Sequence, residues 1–114
     1  MSGRLERLVE AVATLASDPA KQLKHLRQLE LPEAVDELAL EYDAIAAAAE
    51  DMLRLGELDQ NQYDSIKKLD DLLSRMSSKA KPQLWTTEAL FSAPEWSEVR
   101  NTAEECLRLL NANR

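Results

Sequence analysis

The sequence predicts an all-α protein, a compact bundle of five or six mostly antiparallel helices. Three observations predict it. Apolar residues make up 45% of the 114 residues while aromatics make up only 4%, so leucine and alanine carry the core. The chain has two glycines, Gly3 and Gly56, and no run alternates apolar and polar residues over the length of a strand. Successive segments instead place apolar residues three and four apart, with capping residues between them and short connections that favour antiparallel neighbours. This length suits one domain, residues 1–114, around one core.

The first helix is expected from about Arg4 to Ala16, where Leu5, Leu8, Val9, Val12 and Leu15 share a face. Ser17-Asp18-Pro19 restarts the chain: Asp18 can accept from free N–H groups, and Pro19 suits a first-turn position that needs no donor. The second helix reaches about Gln28, with Leu23 and Leu26 inward. Pro32 is expected to open a third helix that runs unbroken to Leu55 and ends at Gly56, a left-handed cap. Its inward face reads Val35, Leu38, Tyr42, Ile45, Ala49 and Met52, and the run Ala46 to Ala49 has high helix propensity. Asp59 with Gln62 forms an acid-headed capping box for a fourth helix, Gln60 to Ser77, with Tyr63, Ile66, Leu69, Leu73 and Met76 as its stripe. The segment from Ser77 to Pro82 reads as a loop. Thr86 caps a short helix through Phe91. Ser92-Ala93-Pro94-Glu95 reads as a capping box for a last helix to about Leu110, burying Trp96, Val99, Ala103, Cys106, Leu107 and Leu110.

Charge is unevenly spread. Residues 30–71 hold thirteen acids and three bases, a net −10 within a chain whose total is −7. A local field of one sign steers partners of the opposite sign, and it repels phosphate backbones, so nucleic acid is not an expected partner. Glu33, Asp36, Glu37, Asp43, Glu50 and Asp51 fall opposite the apolar stripe of the third helix. Asp64, Asp70 and Asp71 add to the same region. The third helix lacks the Glu-to-Lys spacing that would neutralise it internally. These nine acids are the candidate partner-binding residues, set against the plain alternative of a solvated helix face.

Residues that carry chemistry are scarce. Nucleophilic catalysis needs a nucleophile with a base in reach. The single histidine, His25, lies among Lys24 and Arg27 and reads as a surface residue, and Cys106 sits on a core face, where a thiol is inert. Glu33 and Asp36 form Glu-x-x-Asp, similar to the acid pairs of helical magnesium-dependent nucleotide pyrophosphatases, but no Glu-Glu-x-x-Glu partner is present. Phosphate loops, zinc patterns and Glu-x-x-His are absent from the sequence. No catalytic residue, metal or cofactor is expected, and the chain is not expected to be an enzyme. One cysteine cannot form an internal disulfide, which fits a reducing compartment. The opening Met-Ser-Gly-Arg lacks an apolar signal core, and no stretch approaches the roughly 20 apolar residues of a membrane span. A soluble, cytoplasmic protein is expected.

The stretch from Trp85 to Arg100 holds both tryptophans and the one phenylalanine. Its rings are expected to lock a short helix onto the bundle, with Arg100 paired to a nearby acid; an exposed ring would instead anchor a partner. Trp85-x-x-Glu88-Ala89-Leu90 followed by Ser92-x-x-Glu95-Trp96-x-x-Val99-Arg100-x-x-Ala103 resembles small bacterial immunity proteins of contact-dependent growth inhibition and related polymorphic toxin systems. The resemblance covers about the last quarter of the chain. It implies tight, stoichiometric inhibition of a cognate toxin domain, many such toxins being nucleases with basic active sites. The expected function is therefore an immunity protein whose acidic face occludes a basic toxin domain. Two alternatives stand beside it. One is a helical adaptor or secretion chaperone for a basic or amphipathic segment, which an exposed Leu or Met in a groove would favour. The other is a magnesium pyrophosphatase-like enzyme, which needs acids from two helices converging on a metal.

Overall fold

The computed structural model describes residues 3–31, 33–77 and 82–112. Pro32, expected to open the third helix, and residues 78–81 of the expected loop lie outside the described residues. Seven α-helices and one 3₁₀ turn are found there, in the order α1 (Arg4–Ala16), α2 (Pro19–Gln28), α3 (Asp36–Ala46), α4 (Ala49–Arg54), α5 (Gln60–Ser77), the 3₁₀ turn Pro82–Trp85, α6 (Thr87–Ser92) and α7 (Pro94–Ala112). The described residues contain no strand. With α3 and α4 counted as halves of one interrupted rod, the all-α bundle has the expected number of helices.

One contiguous core joins all of these elements. Leu8, Val12 and Leu15 of α1 are fully buried, and α7 is the most extensive partner of α1, supplying Trp96, Val99, Ala103, Cys106 and Leu110. α5 packs along the other side of α7. The two run antiparallel, since Gln62 Nε2 donates to Leu109 C=O while Ser65 Oγ, one turn later, donates to Cys106 Sγ one turn earlier.

Capping follows the sequence closely at three starts. Asp18 accepts from Lys21 N–H with Pro19 in the first turn. Asp59 and Gln62 exchange both hydrogen bonds at 2.8 Å, a complete capping box. Thr86 Oγ1 accepts from Ala89 N–H at 3.1 Å. The fourth expected cap fails: Ser92 ends α6, its hydroxyl donating to Glu88 C=O, and takes no part in starting α7. A hydroxyl that can bond four residues back inside one helix is lost to the next.

Two helix ends close in the same way. After α4, Gly56 N–H donates to Leu53 C=O and Glu57 N–H to Met52 C=O, with Gly56 at φ +80°. After α2, Glu30 N–H donates to Arg27 C=O and Leu31 N–H to Leu26 C=O, with Glu30 at φ +62°. The second closure puts a glutamate where the left-handed backbone favours glycine.

The third helix departs from expectation at the alanine run. Ala48 N–H donates to Ile45 C=O, a tightened turn, and α3 stops at Ala46. Before the break the rod packs chiefly on α1, and after it the chain turns onto α5. Docking sets the path here, and alanine propensity yields to it. All six expected inward residues, Val35, Leu38, Tyr42, Ile45, Ala49 and Met52, are nevertheless buried.

Candidate functional site

The acidic face is built by the rod α3–α4 and by α5, which are held together from inside. Tyr42 is fully buried and its hydroxyl donates to Ile66 C=O at 2.8 Å, tying α3 to α5. Burial drives the Tyr42 phenol far above its ordinary value, so it stays neutral and serves as a rivet. Neighbouring positions on α3 and α5 then face outward along a seam between the two helices.

The nine candidate acids divide into groups. Asp43, Glu50 and Asp70 border one small cleft of about 130 Å³ on that seam, floored by Ala46, Ala47 and Ala49, with Tyr63 and Lys67 completing it. Glu33 and Asp36 stand exposed near the start of α3, and Glu37 beside them is half-buried. Asp64 and Asp71 are exposed on α5, Asp64 accepting from Gln60 Nε2 at 2.8 Å. Asp51 is the exception. It is half-buried and ion-paired to Arg4 of α1 at 2.8 Å and to Arg54, so it acts as a tie between helices.

The expectation that the acids lack internal neutralisation needs correcting. The third helix lacks Glu-to-Lys pairs, yet Arg54 and Lys67 pair with acids three residues away on their own helices, and Arg4 and His25 reach acids from other helices. Arg4 also reaches Glu57 at 2.5 Å, Lys67 lies 3.7 Å from Asp70, and His25 Nε2 lies 2.7 Å from Glu41. His25 is accordingly half-buried in a hydrogen-bonded contact between α2 and α3, where the sequence had suggested a surface residue. Of the nine candidate acids only Asp51 and Asp70 are ion-paired; Glu33, Asp36, Glu37, Asp43, Glu50, Asp64 and Asp71 make no ion pair among the described residues, and Glu33, Asp36, Asp43 and Glu50 are the exposed ones on or beside α3–α4.

Leu40, absent from the expected stripe, is 54% exposed. It borders a groove of about 290 Å³ on the same seam, with Ala39, Leu73, Ser74 and Ser77, and Asp43 and Asp70 at one end. Its position between Leu38 and Tyr42 on the polar side of α3 was the signal available: a leucine where the pattern calls for a polar residue.

The C-terminal rings face inward. Trp96 is fully buried, its indole N–H donating to Leu84 C=O at 2.6 Å, and Trp85 meets it edge-on with centroids 5.5 Å apart. Phe91 is 49% exposed, so it does not lock α6 to the bundle. Arg100, expected to pair with an acid, instead donates to Leu90 C=O at 3.0 Å and to Gln22 Oε1 at 3.3 Å. Desolvation lowers its guanidinium pKa, and Asp18 acts against that shift from a distance. Gln22, which the periodicity missed, is fully buried because its amide donates to Thr14 and Leu15 C=O, among the last carbonyls of α1.

The Cys106 thiol is buried and pushed up by desolvation, only partly offset by the Ser65 hydroxyl. Among the described residues no three of His, Cys, Asp and Glu are grouped so as to hold a metal ion, and no helix is long and apolar enough to cross a membrane. Comparison with protein-family models, with curated proteins and with solved structures finds no match for this chain.

Proposed function

We propose that this chain is a binding module that captures a basic protein through the acidic seam of α3–α5, acting in the cytoplasm as an immunity protein against a basic toxin domain, a nuclease being the foremost kind. The observation that carries this reading is the net −10 of residues 30–71, with Glu33, Asp36, Asp43 and Glu50 left unpaired on the surface. Unpaired like charges on one face cost stability, and they speed encounter with a basic partner. Catalysis and nucleic-acid binding are not part of the proposal, because the face repels phosphate and offers no nucleophile–base pair.

Co-expression with the candidate toxin domain tests it directly. Cells should survive with the parent protein and die when Glu33, Asp36, Asp43 and Glu50 are neutralised. The purified pair should form a 1:1 complex whose association slows as salt rises. Survival and complex formation unaffected by neutralisation would remove the acidic face from the mechanism.

The exposed Leu40 in its groove favours the second reading, a helical adaptor that holds an amphipathic basic segment. The two readings differ in what binds, a folded catalytic domain or a peptide.

A further inference from the structure

The groove beside Leu40 and the acidic cleft beside Glu50 share two residues, Asp43 and Asp70. They are therefore two stretches of one seam between the rod α3–α4 and α5. One stretch is apolar, with Leu40 exposed and Ala39 and Leu73 beside it. The other is floored by alanines and bordered by Asp43, Glu50 and Asp70. We infer that this seam is a peptide-docking groove whose occupant is an amphipathic segment of a partner protein, presenting an apolar side chain to Leu40 and, about a turn further on, lysine or arginine to Asp43 and Glu50.

Charge complementarity selects that occupant. Lys67 offsets only Asp70, so the far stretch keeps two carboxylates without an ion pair. An acidic or neutral segment would leave them unmatched, and a purely cationic one would leave Leu40 in water. A wider groove of about 500 Å³ between α1, α2 and α3 lacks this selectivity. Its lining alternates Arg4, Arg7 and His25 with Glu10 and Glu41, and Arg4 and His25 bond to acids within the chain. The break at Ala47-Ala48 contributes directly, since alanines at 46, 47 and 49 let a partner backbone approach closely. The inference rests on the proposed capture of a basic partner and names where that partner inserts.

The test uses the full chain and two synthetic helical peptides, one alternating leucine and lysine faces and one with serine in place of lysine. Binding is followed by fluorescence anisotropy, and the leucine methyl groups by NMR. The lysine peptide should bind with a salt-dependent affinity and shift the Leu40 methyl resonances. Leu40→Ser should weaken it at least about tenfold, the effect of removing one buried leucine. Asp43→Asn with Glu50→Gln should weaken it by a similar factor, while Glu33→Gln with Asp36→Asn, an equal change of charge away from the seam, should not. All five substituted positions are exposed, and circular dichroism should show each variant folded.

Equal losses from both acidic pairs would overturn the seam as the docking site and leave capture by the wider acidic face standing. No binding of either peptide would also overturn it, leaving the folded-toxin reading untouched. Equal binding of the lysine and serine peptides would overturn both the seam proposal and the electrostatic reading beneath it.

Discussion

Between residues 30 and 71 the chain keeps Glu33, Asp36, Asp43 and Glu50 in water, without ion pairs, on a scaffold riveted from within by Tyr42. Between residues 84 and 110 it does the reverse. There the two tryptophans face each other and the core, and the indole of Trp96 spends its one donor on Leu84 C=O. The residue types that most often anchor interfaces are thus used to hold α6, α7 and the 3₁₀ turn together, and on the acidic side leucines, Leu31, Leu40 and Leu55, are what remain exposed. Conspicuous side chains in a sequence mark where energy is concentrated, and geometry decides whether that energy serves folding or binding.

The strongest attempt to break this contrast is Trp96→Ala. It should lower stability by about 3–5 kcal/mol, the usual cost of emptying an aromatic core site. Phe91→Ala, half-exposed a few residues away, should change stability by no more than about 0.5 kcal/mol. Chemical denaturation checks both. If Trp96→Ala melts like the parent, the C-terminal region is a surface and the division fails.

A smaller effect comes from alkali. The Cys106 thiol and the Tyr42 phenol are both pushed up in the folded state, chiefly by burial. The unfolded chain releases these protons first, from about pH 8.5 for the thiol and about pH 10 for the phenol. The stability they contribute is fully present below those values and is lost as pH rises through and above them. Denaturation at neutral pH and near pH 10 should show a loss of about 1–2 kcal/mol, and Cys106→Ala should remove the earlier part of that pH dependence. In the folded protein the thiol should resist aromatic disulfide reagents at pH 8, and fast labelling would mean it is not buried.

The two matching helix ends give a third comparison. Glu30→Gly should raise stability by about 0.5–1 kcal/mol, because glycine adopts the left-handed backbone without the penalty a side chain incurs. Gly56→Ala should lower it by about 1 kcal/mol for the same reason. Thermal melts of both variants decide it, and no change in either would mean these ends are not fixed as described.

The smallest expected effect on stability falls on the acidic face itself. Neutralising Glu33, Asp36, Asp43 and Glu50 should shift stability by no more than about 0.5 kcal/mol each, with relief of repulsion favouring a gain. Asp51→Asn should stand apart and destabilise, because it breaks the tie to Arg4. Equal behaviour of Asp51 and the other four would erase the distinction between structural and free acids.

Much of the fold was legible in the sequence because local signals and periodicity agreed. The bounds of α1, α2 and α5 coincide with those expected, and the inward stripe of the third helix was read in full. The failures share a cause. The break at Ala47-Ala48, the burial of Gln22, the ion pairs of Arg4 and the contact of His25 with Glu41 all depend on which helix lies alongside, and one segment's periodicity carries no such information. Glu30 was missed because the backbone there contradicts the residue's own preference. Of the candidate site, the acids were legible and their grouping was not. Asp43, Glu50 and Asp70 meet only because α5 returns against α3.

The pairing of α1 with α7 also bears on how the protein is made. In synthesis α1 emerges well before its main neighbour α7, and Arg100 reaches Gln22 across 78 positions of sequence. Such distant pairing delays closure of this core until α7 has been made. Meanwhile Leu8, Val12 and Leu15 lack their partners, and the nascent chain is a substrate for holding chaperones. A premature stop within α7 should therefore yield a degraded product with no residual activity, and its gene should tolerate early termination far worse than a helical repeat protein of similar size would.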